Sequence, residues 1–347
     1  FRSIATDATT APFFGHLVST QRLAGLTDFE NSAPLFPGVH RSFKFCLLTI
    51  SAGVQAADFA FFLTDPSQLE DPRRRFTLSP DQIARINPNT KTAPVFRSQR
   101  DAELTAGIYD RVPVLIEEGV EGGNPWGVEF RQGLFNMTSD SGLFRTAAQL
   151  AEHGFRRDGV DWVREKISAG STQMTNAPRQ STLALAGGRD THHLDLSSGR
   201  STSQSVDRFV PLYEAKMFNF YDHRFGDYGA RGDDRGYRVM PVTPLQDYTN
   251  SFFEPMPYYW VRDIEVVDRI PNRWQRDWFI AFKDVTAATN ERTSIFSVIP
   301  KTAVGHTAPI LFGERDAQSL SALLANLNSL FLESVSKLTL TEPIGGS

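Results

Sequence analysis

The stretch that most constrains this chain is residues 42–51, SFKFCLLTIS. Ten residues that are nearly all apolar and are bounded by serines fit a strand covered on both faces. Residues 58–63, DFAFFL, read as a second strand, with the turn residues 51–53 between the two, and residues 23–29, LAGLTDF, read as a short strand before them. Such a pair closes the edge of a larger sheet, and residues 1–62 are too few to build that sheet alone. The expectation is an upstream portion, a fragment or a processed piece. The lack of an initiator methionine at Phe1 agrees with it.

The 347 residues leave room for two domains and a sizeable core, and 40% hydrophobic content with 12% aromatics describes a folded chain. A net charge of −4 and a pI near 6.0 exclude a uniformly basic nucleic-acid module but leave room for a local basic groove. Of 36 basic residues, 29 are arginine, which suits planar partners such as carboxylate, phosphate or guanine. The single Cys46 excludes a disulfide framework and a cysteine zinc site. Set in an apolar strand, its thiol is a poor nucleophile. No run reaches the roughly 18 to 20 apolar residues of a membrane span. The first residues carry neither a charged region nor an apolar one, so they form no signal peptide, and the expected compartment is cytoplasmic.

Four regions follow along the chain. Residues 1–63 are α/β, and residues 64–167 are a connector with helical parts and the basic run Arg73-Arg74-Arg75. Residues 168–205, rich in Ser, Thr, Gly, Asn and Gln, read as a flexible insertion, and residues 206–347 as a second α/β domain. At the joint, residues 83–115, a short amphipathic piece turns at Asn87-Pro88-Asn89 and leads into a helix near Arg97, Ser98, Arg100, Asp101 and Glu103. The two arginines either touch phosphate or pair with Asp101 and Glu103. Ser139, Asp140 or Ser141 is expected to cap a helix over 143–153, residues 264–267 to be β-like, and residues 319–338 to form an amphipathic helix.

No catalytic constellation stands out: G-x-G-x-x-G, a P-loop, G-x-S-x-G and H-E-x-x-H are all absent. His192 and His193 lack further ligands at metal-binding spacing. Glu214-Ala215-Lys216 is an E-x-K on an expected strand with Asp207 upstream, a pattern by which nucleases hold Mg²⁺ and activate water. The plainer reading is an ion pair. Aromatic and basic residues interleave at Phe218, Phe220, Tyr221, His223, Arg224 and Tyr228, then at Tyr258, Tyr259, Trp260 and Arg262, with Arg292 and Thr293 later. Nucleic-acid readers use such side chains, and so does an aromatic core fringed by solvated charge.

Taken together, LAGLTDFENSAPLFPGVHRSFKFCLLTIS, INPNTKTAPVFRSQRDAELTAGIYDRVPVL, NPWGVEF, LFNMTSDSGLFR, PLYEAKMFNFYDHRF, PYYWV and LLANLNS resemble the C-terminal half of adenine-N6 DNA methylases. These are the fused type IIG restriction–modification enzymes and the similar methylases of phage-defence systems such as BREX and DISARM. The resemblance implies terminal strands of a Rossmann-like, S-adenosylmethionine-dependent catalytic sheet, then a mixed α/β target recognition domain. It implies double-stranded DNA as partner, with an N-terminal methylase portion or other defence-system subunits. Phe43 and Phe45 would lie near the aromatic set against a flipped base. The family's Asn-Pro-Pro-Tyr/Phe motif and its glycine-bearing cofactor motif are absent, so this chain alone is expected neither to bind the methyl donor nor to transfer methyl groups. The expected DNA contacts are Arg97, Arg100, Lys216, His223, Arg224, Arg292 and Thr293. The rival readings are an interaction scaffold of a defence complex and a Mg²⁺-dependent nuclease built on Glu214 and Lys216.

Overall fold

A computed structural model describes residues 3–7, 9–165, 206–229, 240–284 and 291–329. The expected insertion with His192 and His193, most of the charged loop after Tyr228, and residues 330–338 of the expected last helix lie outside the described residues; the last described helix ends at Leu327, with Asn328 as its C-cap, short of the expected run to 338.

The chain opens with α1 (Ser3–Thr6), α2 (Ala11–Ser19), β1 (Leu23–Glu30), β2 (Lys44–Ile50), β3 (Ala57–Leu63), β4 (Arg75–Leu78), α3 (Pro80–Ile86) and α4 (Gln99–Tyr109). The strands form one mixed sheet in the order β2-β1-β3-β4. β2 runs antiparallel to β1, and β3 runs parallel to β1 on its other side. The two strongest apolar runs are therefore not neighbours: β1 separates them. β2 is also an edge strand, with Leu47 59% and Ile50 48% exposed, rather than the doubly covered strand its composition predicts. The expected connector, residues 64–167, begins with a strand of this sheet, β4, whose Phe76 and Leu78 alternate inward with period two.

One face of this sheet buries Leu26, Phe59, Phe61 and Phe76 against α2 (Phe14, Leu17) and α3 (Ile83, Ile86). Val95, Phe96 and Ala102 join the same core, so it runs well past residue 63. Ser79 and Gln82 form a capping box that starts α3, and Ser98 accepts the Asp101 N–H to start α4. On the opposite face, Phe29, Ala60 and Leu63 pack with Leu35, Phe45 and Leu69.

The second body comprises β5 (Val128–Arg131), α5 (Ala147–Glu152), β6 (Arg156–Asp158), β7 (Asp161–Glu165), β8 (Val206–Tyr213), α6 (Leu245–Tyr248), β9 (Trp260–Arg262), α7 (Asp263–Arg269), β10 (Trp278–Phe282), β11 (Phe296–Pro300), β12 (Ala303–Val304), β13 (Ile310–Gly313) and α8 (Ala317–Leu327). One sheet has the order β11-β10-β13-β5, and the other β12-β8-β7-β6 with β9 on β8. Both feed a shared core with α7 and α8 that includes Leu212, Val261, Val266, Phe279, Phe312 and Leu324. The fold is mixed α/β. No helix among the described residues is long and apolar enough to cross a membrane.

Three local expectations are corrected. Residues 264–267 belong to helix α7, where Asp263 and Glu265 suit the first turn and Val266 turns inward. Thr146, not Ser139, Asp140 or Ser141, caps α5, in a capping box with Gln149. At the joint, Arg97 and Arg100 pair with neither Asp101 nor Glu103: Glu103 accepts from Gln99 at 2.7 Å, and Arg97 lies over Phe62.

Candidate nucleic-acid interface

The end of β8 carries most of the expected contact residues. After Tyr213 the chain makes a single 3₁₀ turn, Ala215–Met217, and buries Met217 and Phe218 completely. Asn219 and Asp222 then exchange backbone hydrogen bonds of 2.7 and 2.8 Å across a tight turn. That turn places Tyr221 in the left-handed region at φ 56° and leaves it 51% exposed. Gly226 closes the segment by donating to Met217 O at 3.0 Å, and only glycine fits, since a Cβ there would sit 2.7 Å from Lys216 O.

Four cations lie over four aromatic rings along this segment. Lys216 Nζ stands 5.3 Å from the Tyr228 ring centre, Arg224 Cζ 5.2 Å from Tyr248, Lys283 Nζ 5.6 Å from Phe225 and Arg292 Cζ 4.6 Å from Phe220. Such pairs hold long side chains in fixed directions and contribute roughly 0.5–2 kcal/mol each, more as they are desolvated. The chain that follows Arg292 is anchored to the end of α8. Ser294 Oγ donates to Leu327 O at 2.6 Å. The Asn328 amide bonds both the N–H and the C=O of Phe296 at 2.9 Å, so the end of α8 pins the start of β11. Phe296 O also accepts the Tyr221 N–H at 3.2 Å.

The charge states follow from these surroundings. Burial works against the Lys216 ammonium, but the Tyr228 hydroxyl and the Glu214 carboxylate outweigh it and hold its pKa above the ordinary value. Burial, then the neighbouring Arg224, lowers the His223 pKa, so its imidazole is neutral at pH 7. A neutral ring can donate and accept at a base edge but adds no charge against phosphate. Burial also lowers the Lys283 pKa.

The expected contacts divide by exposure. Lys216, His223, Arg224 and Arg292 gather on this surface, each partly exposed. Arg224 is already engaged, donating to Asn250 O at 3.2 Å besides covering Tyr248. Thr293 is 5% exposed, so direct contact with a DNA groove is closed to it. Arg97 and Arg100 lie at the start of α4 in the first body, both exposed. Phe45 is stacked on Phe29 at 5.2 Å and edge-on to Phe36, which occupies the faces a base would need; Phe43 is 49% exposed.

The nuclease geometry is not formed. Lys216 lies on the 3₁₀ turn rather than a strand, Glu214 is the residue before that turn, and the two pair at 3.2 Å. Asp207 sits at the far end of β8, roughly 20 Å away at strand rise, and pairs with Arg164 and Arg262. Among the described residues no three acidic, histidine or cysteine side chains are grouped to hold a metal.

Sequence reasoning missed Lys283, Tyr248, Leu245 and Phe252. The last two are 84% and 91% exposed beside the Arg224 contact to Asn250. Their only signal is Leu245, Tyr248 and Phe252 spaced three and four apart among polar residues in LQDYTNSFF, a stretch too short to register as amphipathic.

No protein-family model matches this chain, and no curated protein matches it.

Proposed function

We propose that this chain is the DNA-binding, target-recognition portion of a site-specific adenine-N6 DNA methyltransferase of the restriction–modification or phage-defence type. The carrying observation is the surface at residues 214–229, where Lys216, Arg224, Lys283 and Arg292 are each fixed over an aromatic ring around an outward-turned Tyr221. Fixed cations suit backbone phosphates and set register, while neutral His223 and exposed Tyr221, Leu245 and Phe252 suit base edges and base steps.

The first body supports a docking role. Leu47, Ile50 and Phe43 leave an apolar margin on edge strand β2, which suits closure by further strands of a Rossmann-like catalytic portion or another defence subunit. With the catalytic and cofactor motifs absent from the sequence, methyl transfer belongs to the parent enzyme in a cytoplasmic setting.

The test is duplex binding followed by fluorescence anisotropy across a salt series. Affinity falling steeply with salt supports the reading. Absence of any salt-dependent binding overturns it in favour of the scaffold. Plasmid cleavage with Mg²⁺ that Lys216→Ala abolishes overturns it in favour of the nuclease.

A further inference from the structure

The C-terminal ends of the parallel strands β1 and β3 open onto a groove of about 550 Å³, lined among others by Phe62, Gln68, Arg73, Arg74, Arg97 and Ser98. In open α/β sheets, this end of the strands is where loops leave room for ligands. The local backbone is unusual here. Thr27 faces Ala60 while Phe29 faces Leu63, so β3 carries one residue more than β1 over this interval. Within that bulge, Phe62 has φ 59°, a conformation that aromatic residues seldom adopt. The buried Asp28 carboxylate accepts the Phe62 N–H at 3.4 Å. The bulge breaks the inward–outward alternation of β3 and directs the Phe62 ring to the groove wall, where Arg97 lies over it at 4.2 Å.

The charges in the groove do not cancel. Asp71 is taken by Arg73 at 2.8 Å, and Glu30 pairs with Lys44 at 3.7 Å. Arg74 and Arg97 form no ion pair with any described residue. Two guanidinium groups thus face one open volume, and one is oriented by stacking. The volume lies within the roughly 300–1,000 Å³ of small-molecule sites, larger than a bare phosphate needs. Planar guanidinium groups match phosphate oxygens two at a time.

We propose that this groove binds a nucleotide through its phosphate, with Arg74 and Arg97 as the anion contacts and the Phe62–Arg97 stack as one wall. The phosphate ester is carried either by a free nucleotide or by one nucleotide of a nucleic-acid strand. The site is separate from the surface at residues 214–229 and does not depend on that surface's function.

The experiment uses the full chain with two probes: ADP by calorimetry and a short fluorescein-labelled single-stranded oligonucleotide by anisotropy. At least one probe is expected to bind, and Arg74→Gln and Arg97→Gln are each expected to weaken it about tenfold or more. Arg97→Lys, which keeps the charge but loses the planar fork, should fall between wild type and Arg97→Gln. Unchanged melting temperatures separate these effects from misfolding. Binding of ADP alone assigns a free nucleotide, and binding of the oligonucleotide alone assigns a strand. Arg292→Ala serves as the control for the other surface and should leave ADP affinity unchanged. The proposal is overturned if neither probe binds, if both glutamine variants bind like wild type, or if Arg292→Ala abolishes ADP binding.

Discussion

The Tyr248 hydroxyl donates to Asp222 Oδ2 at 2.6 Å. This bond ties helix α6 to the tight turn that presents Tyr221, and the same ring lies under Arg224. Partial burial, then the Asp222 carboxylate, pushes the Tyr248 pKa up to about 12. The folded state therefore keeps this proton when the unfolded chain has lost it. The stability it contributes is present below the unfolded tyrosine pKa near ~10 and is lost as pH rises through about 12. Thermal melts of wild type and Tyr248→Phe should differ by about 1 kcal/mol at pH 7. The gap should narrow between roughly pH 10 and 12. A gap that stays constant into alkali would contradict the Asp222 bond.

Arg292 offers the cleanest test of the recognition surface, because its guanidinium stacks on Phe220 and forms no ion pair with any described residue. Arg292→Ala should weaken duplex binding roughly tenfold and reduce the salt slope by about one phosphate's worth, near 0.9 in log–log terms. Arg224→Ala should act in the same direction with an added stability cost, since it also releases Asn250 O and uncovers Tyr248. Anisotropy titrations at several salt concentrations give both numbers. Equal slopes for wild type and Arg292→Ala would remove Arg292 from the interface.

Phe43 and Phe45 are two residues apart yet should differ in how much stability their truncation costs. Phe45→Ala removes a ring stacked on Phe29 and should cost about 2–3 kcal/mol in a denaturant melt. Phe43→Ala removes a half-exposed ring and should cost under about 1 kcal/mol. A reversed order would mean that the apolar margin of β2 is not arranged as described.

Gly226→Ala should disorder the interface without unfolding the chain. The added methyl meets Lys216 O at 2.7 Å and the Met240 sulfur, so the Gly226–Met217 bond must lengthen. A loss of about 1–3 kcal/mol is expected, together with weaker duplex binding. Wild-type stability and affinity in this variant would show that the segment is looser than its packing implies.

Most of the elements were legible in the sequence where periodicity was strong. The LAGLTDF and DFAFFL runs became β1 and β3, and the leucine spacing of the last helix became α8, which buries Leu320, Leu323, Leu324 and Leu327. Composition misjudged β2, because an apolar run does not reveal whether a neighbouring strand is present to cover it. The four-residue β4 was missed because two alternations are too few to separate from a loop. At the interface, the residue types around 214–229 were visible as interleaved aromatics and cations. Their pairing was not, since Arg292–Phe220 and Lys283–Phe225 join positions far apart in the chain. The left-handed Phe62 had no local signal at all: its conformation follows from the register of β3 against β1.

One oxygen has an unusual place in this layout. Phe296 O receives hydrogen bonds from Asn328, at the end of α8, and from Tyr221, at the tip of the exposed turn. The two groups that share it are more than a hundred residues apart in sequence, so the turn hangs from a hook that the far helix also grips. The turn that presents Tyr221 and the end of α8 thus share one anchor on β11, so a change at Asn328 reaches the seat of Tyr221 through a single residue.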